Sequence, residues 1–212
     1  MPEVSEKQYP RMTVEEYLKF EETAEIKHEY HYGVVLPVWE AAAYISGVPV
    51  MMPGVTENHD RIVINLIGTL RSALKGTPCS NFSADLKVQV DRRGKFVYPD
   101  STVACEPLEF RVDERERRTL VNPKVVFEVL SESTKAYDRG EKLERYLATP
   151  TIEEVFLLSQ DQPHVQGFRR NDDGSATMRY WTGLDTVVKI EAIGIELSLA
   201  ELYENVKFEA GA

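Results

Sequence analysis

A single acidic residue interrupts an apolar segment near the middle of the sequence. In KVVFEVLSES, residues 124–133, Glu128 lies between Val125–Phe127 and Val129–Leu130. An unbroken apolar run of this kind is typical of a strand that is buried on both faces. Burying an isolated carboxylate costs on the order of several kcal/mol. Glu128 is therefore expected to be paired with a cation, protonated or bound to a metal ion.

A second acidic residue, Asp100 of YPDS, follows the preceding strand-like run. The connection between Asp100 and Glu128 is centred near Glu114, so a long hairpin about that centre would place the two acids directly opposite each other. Opposed residues have Cβ atoms about 5 Å apart on one face of a sheet. Two carboxylates this close repel unless a cation lies between them. A hard divalent ion, most simply Mg²⁺, would meet that need.

Lys142 supplies a third group of the right type. It lies four residues after Asp138 and four before Tyr146, at the flank of the apolar stripe of a predicted helix. A long side chain at that position could bring its ammonium back over the strand end. There the ammonium could orient a water molecule or neutralise a phosphoryl oxygen. Two carboxylates, a metal ion and a lysine are sufficient to hydrolyse a phosphodiester.

Each of these residues also has a purely structural interpretation. Glu128 could pair with a buried arginine or accept hydrogen bonds from backbone amides, and Asp100 is a commonplace turn residue after proline. Lys142 could form an exposed helical pair with Asp138 at i,i+4. The spacing of the residues alone leaves these alternatives open.

The surrounding elements indicate a mixed α and β order. A capping box at Thr13 and Glu16 predicts a first helix, and NHDRIVINLIGTLRSALKG has helical apolar spacing. Strand-like runs cluster on either side of the Glu128 segment, and residues 153–190 resemble a meander of strands. We predict one α/β domain over residues 1–212 around a mixed sheet, with residues 1–11 as a flexible N-terminal tail.

Composition and charge narrow the classes of function. The 212 residues are 42% hydrophobic and 28% charged, as in ordinary globular proteins. The formal net charge is −10, and counter-ion release favours basic surfaces on nucleic acid. Any contact with nucleic acid must therefore be local, through a patch of the surface or a bound metal ion.

The sequence gives no indication of a membrane or secreted protein. The first twelve residues, MPEVSEKQYPRM, lack the apolar core of a signal peptide, and the apolar runs are shorter than the roughly 20 residues of a membrane span. Cys79 and Cys105 show no paired spacing. We therefore expect free thiols in a cytoplasmic protein, with neither a disulfide framework nor a zinc site.

The order of the acidic residues and the lysine resembles the PD-(D/E)XK nuclease superfamily, which has the restriction-endonuclease-like fold. A longer resemblance, over roughly residues 12 to 207, is to the Uma-type endonucleases that are abundant in cyanobacteria. The segments that carry it are EYHYG, NHDRIVINLIGTLRSAL, SADLKVQV, YPD, NPKVVFEVLSESTKAYDRGEKLERY and IEEVFLL. The segment from Asn122 to Tyr146 is the most specific, because residue type, order and spacing all agree.

This resemblance implies a restriction-endonuclease-like core, with a mixed central β-sheet flanked by helices. It implies that Asp100, Glu128 and the backbone carbonyl of Val129 are ligands of Mg²⁺, with Mn²⁺ as a substitute. The position that usually holds the catalytic lysine is Leu130 here, and Lys142 on the following helix would replace it.

The resemblance also implies two further site residues. Glu29 and His59 match an early glutamate and a histidine at a helix start in the family. They are expected to approach the metal ion or the substrate.

The function expected from the sequence is a Mg²⁺-dependent endonuclease that cuts DNA. Enzymes that cut both strands of a duplex are commonly symmetric dimers, so a homodimer is expected. The alternative is a non-catalytic interaction or regulatory protein that retains the nuclease fold, which the charge of −10 and Leu130 both favour. Lys142 discriminates between them, because its ammonium must come within about 5 Å of the carboxylate pair to act there.

Overall fold

The fold places two mixed β-sheets next to each other, with helices packed against them. A computed structural model describes residues 9–38, 40–41, 56–91, 94–113, 118–131 and 135–208. The helices in these ranges include α1 (Val14–Glu21), α2 (Glu57–Ala73), α3 (Lys135–Tyr137), α4 (Leu143–Ala148) and α5 (Leu199–Leu202). A π-helical turn at Asp138–Lys142, the π turn, joins α3 to α4.

The strands follow one another in short runs. They are β1 (His28–His31), β2 (Val34–Pro37), β3 (Cys79–Ser83), β4 (Lys87–Asp91), β5 (Lys95–Val97), β6 (Ser101–Cys105), β7 (Phe110–Val112), β8 (Arg118–Leu120), β9 (Val125–Leu130), β10 (Glu154–Ser159), β11 (His164–Arg170), β12 (Ala176–Thr182), β13 (Val187–Ile190) and β14 (Ile195–Ser198). The meander predicted over residues 153–190 corresponds to β10–β13.

The strands form two large sheets where the sequence predicted one central sheet. Sheet A has the order β2-β1-β5-β4-β8-β7, and sheet B has the order β12-β11-β10-β9-β6-β3. Strands β13 and β14 form a separate pair. Each large sheet is mixed, because β4–β8 and β9–β10 are parallel pairs among antiparallel ones. The predicted class, mixed α/β, is confirmed.

Both helices predicted for the N-terminal half of the chain are confirmed. Thr13 and Glu16 form both hydrogen bonds of a capping box at the start of α1. Helix α2 begins after the N-cap Thr56 and buries Ile62, Leu66 and Leu70 on one side. This spacing of three or four residues is that of an amphipathic helix lying on a core.

Strand β9 is buried along its whole length, as its unbroken apolar sequence predicts. Val125, Phe127 and Val129 face the core that contains α2. Val126 and Leu130 face a second core, to which sheet A and α4 contribute. Because side chains alternate between the faces of a strand, Glu128 points toward this second core.

The strand register predicted for the acidic pair is confirmed. Strands β6 and β9 are antiparallel, with Ser101 opposite Phe127 and Val103 opposite Val125. Continued by one residue, this register sets Asp100 opposite Glu128. The connection is more elaborate than a hairpin, because β7 and β8 leave sheet B and join sheet A.

The N-terminal part of the chain contributes the edge of sheet A. Strands β1 and β2 form a hairpin through Tyr32 and Gly33, which both have positive φ, as a tight two-residue turn requires. Within the segment expected to be a tail, Pro10 accepts a hydrogen bond from Val35, and Arg11 bridges to β2. Residues 1–8 lie outside the described residues. No helix among the described residues is long and apolar enough to cross a membrane.

The prediction of free thiols is wrong. Cys79 of β3 is directly opposite Cys105 of β6, and the two residues form a disulfide. They are 26 residues apart in the sequence. Their pairing depends on the register of two strands, which the spacing of the cysteines does not reveal.

We expect the disulfide to stabilise the fold measurably. Reducing it, or replacing both residues in Cys79→Ser/Cys105→Ser, should lower the free energy of unfolding by about 2–4 kcal/mol, because the bridge restricts the unfolded chain. Urea unfolding of the oxidised protein with and without dithiothreitol measures this difference. The double variant should not respond to the reductant. Two reactive thiols in the oxidised, native protein would contradict the prediction.

Candidate active site

The site is built where Asp100 meets the end of β9. The backbone N–H of Val129 donates a hydrogen bond of 2.7 Å to Oδ2 of Asp100. This bond holds the Asp100 carboxylate against the strand that carries Glu128. The side chain of Asp100 is 20% exposed, whereas that of Glu128 is 4% exposed. One carboxylate therefore borders solvent and the other is buried behind it.

Lys142 reaches the buried carboxylate. Its Nζ lies 2.8 Å from Oε1 of Glu128 and 3.4 Å from Oδ1 of Asp138. The alternative of an exposed helical pair is wrong, because Lys142 and Asp138 are only 6% and 3% exposed. Both lie in the π turn, and π-helical turns are frequent at functional sites.

Tyr146 completes the contacts of Glu128. Its hydroxyl donates a hydrogen bond of 2.5 Å to Oε1 of Glu128. The ring of Tyr146 is fully buried in the second core. Its spacing of four residues from Lys142 was the one available signal that both side chains reach the same place.

Burial dominates the electrostatics of this cluster. It raises the pKa of Glu128 to about 8, with further upward contributions from Asp138 and Asp100 against the lowering effect of Lys142. Burial also lowers the pKa of the Lys142 ammonium, but Glu128 and Asp138 more than offset this and hold it well above its usual value. The lysine is therefore a permanent cation beside an acid that readily takes up a proton.

His59 lies beside the carboxylate pair, near the start of α2. Its backbone N–H donates to the N-cap Thr56, and its Nε2 lies 3.6 Å from Oδ2 of Asp100. Its Nδ1 is buried and has no hydrogen-bond partner among the described residues. Burial lowers the pKa of His59, but the hydrogen bond and charge of Asp100 raise it to a net value above the usual one.

Glu29 lies behind Lys142 and does not contact the carboxylate pair. Its Oε2 accepts a hydrogen bond from the hydroxyl of Tyr137 at 2.9 Å and lies 2.8 Å from Nε2 of His31. The ring of Tyr137 in turn lies 5.6 Å from Nζ of Lys142. Burial raises the pKa of Glu29, whereas His31 and Lys142 lower it to a net value below the usual one.

A second ion pair, whose lysine is buried, attaches the π turn to sheet A. Nζ of Lys95 lies 2.7 Å from Oε1 of Glu141, and the lysine is fully buried. Glu141 also contacts Arg145. Sequence reasoning missed Lys95 because a lysine beside a turn ordinarily lies in solvent.

The oxygens that remain available fit a hard divalent cation. The contacts of Glu128 fall on Oε1 and those of Asp100 fall on Oδ2. The other two oxygens, Oε2 of Glu128 and Oδ1 of Asp100, take part in none of these four contacts. Together with the adjacent carbonyl of Val129, these are the ligand types that Mg²⁺ and Mn²⁺ prefer. The described residues contain no group of three or more His, Cys, Asp or Glu that could hold a metal ion, so water would have to complete the coordination.

The architecture agrees with the comparisons to known proteins. A solved structure from Anabaena variabilis, described as "a putative nuclease belonging to DUF820", superposes with a TM-score of 0.65 at 17% identity, over 91% of this chain and 97% of that one. This likeness shows that the chain shares the fold of that structure. The profile of the Uma2 family, "Putative restriction endonuclease", matches residues 36–200. The chain belongs to the Uma2 family, which confirms the resemblance seen in the sequence.

Two relatives from Synechocystis sp. extend over most of the chain. "Uncharacterized protein slr1290" is 30% identical over 200 residues, covering 94% of this chain and 95% of its own. "Uncharacterized protein sll1609" is 26% identical over 162 residues, covering 76% of this chain and 82% of its own.

The raised pKa of Glu128 predicts a specific pH dependence of stability. The folded value is about 8 against an ordinary 4.5, so the folded state binds the proton more tightly than the unfolded state. The stability that this proton contributes is present below about pH 4.5 and is lost as the pH rises toward 8. The free energy of unfolding of wild type, minus that of Glu128→Gln, should therefore fall between these values when measured by urea unfolding in EDTA.

The matched control is Glu144→Gln, which removes one exposed carboxylate from the same helical segment. A wild-type minus Glu128→Gln difference that rises with pH over this range would contradict the prediction.

Proposed function

We propose that the protein is a divalent-metal-dependent endonuclease that hydrolyses phosphodiester bonds in DNA. The observation that carries this proposal is the position of Lys142, whose ammonium lies 2.8 Å from Glu128. Asp100 is opposite Glu128 in the strand register. Asp100, Glu128 and Lys142 belong to three separate segments of the chain and lie next to one another in the fold. The family and the fold supply the class of enzyme.

In this proposal, Asp100, Glu128 and the carbonyl of Val129 would hold Mg²⁺, for which Mn²⁺ could substitute. A bound divalent cation lowers the pKa of coordinated water and stabilises charge on a phosphoryl group. When Glu128 is ionised, the carboxylates of Asp100, Glu128 and Asp138 outnumber the ammonium of Lys142, and this excess of negative charge supports the requirement for a metal ion. A phosphodiester approaching such a site is repelled unless another cation is present.

The protein groups have distinct roles in the proposal. Lys142 would orient the nucleophilic water or contact a phosphoryl oxygen, while Tyr146 and Asp138 hold the carboxylate and the ammonium in place. His59 borders the more exposed carboxylate and would contact the substrate. Glu29 would act at a distance, through Tyr137, by supporting the position of Lys142.

The alternative is a non-catalytic interaction protein that retains the nuclease fold. The contact of Lys142 with Glu128 favours it, because an ionised Glu128 and the buried ammonium neutralise each other without a substrate. The net charge of −10 favours it as well. The two candidates differ in whether the carboxylates bind metal ions and whether DNA is cut.

Three expectations from the sequence stay predictions. A single domain over 1–212 is supported by sheet B, which contributes to both of the large cores. The homodimer was inferred from the geometry of duplex cleavage. The cytoplasmic location depended partly on free thiols, and the disulfide of Cys79 with Cys105 removes that argument.

Metal binding should be measurable without catalysis. Mg²⁺ or Mn²⁺ at about 100 times its dissociation constant should raise the melting temperature of wild type by about 5–10 °C, because it binds only the folded state. Asp100→Asn removes a ligand charge at nearly constant shape, and it should abolish most of this shift. Differential scanning fluorimetry against EDTA measures both. An equal shift in wild type and Asp100→Asn would place the metal elsewhere.

Cleavage of supercoiled plasmid tests the activity itself. Wild type should convert the plasmid to nicked or linear form with Mg²⁺ or Mn²⁺, and Glu128→Ala should be slower by about 100-fold or more. Glu144→Ala, purified in parallel, controls for contaminating nuclease and for the loss of a glutamate. Equal cleavage by wild type and Glu128→Ala would show that the activity does not come from this site. Metal binding without cleavage of any nucleic acid would favour the non-catalytic alternative.

A further inference from the structure

A groove lies on sheet B. This groove has a volume of about 340 Å³, and it is lined by Arg169, Arg179, Lys189, Phe156, Trp181 and neighbouring residues. Cationic and aromatic side chains in one groove are the combination that binds nucleotides, through their phosphates and their bases.

The strand register places the groove on the face of sheet B opposite to Glu128. Phe156 is opposite Phe127 and Gly167, and Gly167 is opposite Arg179. Paired residues point to the same face, so Phe127, Phe156 and Arg179 share one face. Glu128 follows Phe127 and therefore points to the other face. The groove is thus separate from the carboxylate pair.

Two arginines in the groove share one carboxylate. Nη1 of Arg179 donates a hydrogen bond of 2.7 Å to Oε1 of Glu191, and Arg169 forms an ion pair with Oε2 of the same residue. All three side chains are partly exposed, from 29% for Glu191 to 60% for Arg179. Two guanidinium groups directed at one oxyanion are the arrangement that recognises phosphate. The Glu191 carboxylate therefore occupies an anion site.

The charges around the groove leave a small excess of cations. Four cationic residues line it, against the acidic residues Glu154 and Asp172 and the adjacent Glu191. Glu154 is already engaged, because its Oε2 accepts a hydrogen bond from the backbone of Ala192. Arg170 donates to backbone carbonyls, so its charge is fixed in place. This local excess of cations contrasts with a chain whose net charge is −10.

The aromatic side of the groove depends on a glycine. A Cβ atom at Gly167 would lie 2.7 Å from the ring of Trp181 and 2.9 Å from that of Phe156. Glycine therefore lets the indole lie against the backbone of β11, two strand positions from Arg179. A base stacked on an aromatic ring contributes to affinity with little dependence on sequence.

We propose that this groove binds a nucleotide phosphate on Arg169 and Arg179, in place of the Glu191 carboxylate, with the base beside Trp181. The phosphate can belong to a nucleic-acid strand or to a free nucleotide, since the chemistry is the same. The inference does not rest on catalysis by the carboxylate pair. Glu191 acts as an internal competitor that the ligand displaces.

The test is a binding measurement in EDTA, where no metal-dependent cleavage takes place. The probes are a fluorescein-labelled single-stranded 12-mer of DNA, followed by anisotropy, and dAMP, followed by fluorescence of Trp181 in a Trp39→Phe background. We expect Arg169→Ala/Arg179→Ala to bind roughly tenfold more weakly. For the 12-mer, the slope of log affinity against log salt should fall by roughly 0.7 for each lost phosphate contact.

The Glu191→Gln variant is expected to change the binding affinity in the opposite direction. Removing the internal carboxylate should tighten binding by about two- to fivefold, the range expected for the loss of an exposed competing ion pair. A variant that merely disturbed the fold would weaken binding instead. The matched control is Arg71→Ala/Arg111→Ala, which removes the same charge from exposed positions outside the groove. Circular dichroism and thermal melts confirm that each variant is folded.

The outcomes distinguish a nucleic-acid strand from a free nucleotide, and they test this proposal separately from the proposed nuclease activity. Tight binding of the 12-mer with weak binding of dAMP supports a strand, and similar affinity for both supports a free nucleotide. Equal affinity and equal salt slope for the two double-arginine variants would overturn the proposal. Absence of binding of either probe by both wild type and Glu191→Gln would also overturn it. Because no metal ion is present, none of these results depends on whether the plasmid is cut.

Discussion

The contact between Lys142 and Glu128 is the interaction on which the site depends. A buried ammonium or a buried carboxylate is costly alone, so each requires the other. Further contacts surround this pair. The hydroxyl of Tyr146 donates a hydrogen bond to the same carboxylate oxygen, and Asp138 adds a second negative charge beside the ammonium. The π turn brings Asp138 and Lys142 to the same side of the helical segment. Charges buried at this density are difficult to explain by stability alone, and such clusters are concentrated at functional sites.

The two sheets hold different parts of the site. Sheet B carries Glu128 in the middle of a fully buried strand, with Asp100 bound to the backbone of the next residue. Sheet A holds the helical segment that carries the lysine, through the ion pair of Lys95 with Glu141. Glu29 of the same sheet holds Tyr137, whose ring lies near the ammonium. The carboxylates and the lysine therefore belong to different parts of the fold, and the packing of the sheets sets their separation.

Sheet B presents different chemistry on its two faces. One face of its central strands carries the carboxylate pair, and the other carries apolar side chains that continue outward into the groove of Arg169, Arg179 and Trp181. The cationic side chains of this groove therefore lie on the face of sheet B opposite to Glu128, in a chain whose net charge is −10.

The sequence by itself determined the class of fold, the helices α1 and α2, the burial of β9 and the register of Asp100 with Glu128. The fold class, the helices and the burial of β9 follow from periodicity and capping residues, which act over short distances. The register follows from the equal distance of Asp100 and Glu128 from the centre of the connection between their strands. Only the tertiary structure decided that Lys142 is buried on Glu128, that Tyr146 donates to the same oxygen, and that Cys79 meets Cys105. It also decided that the strands form two sheets and that Lys95 holds the π turn. Such contacts join different elements of the fold, and sheet order and packing select the partners. The four-residue spacing of Lys142 and Tyr146 is the one local pattern that pointed to them.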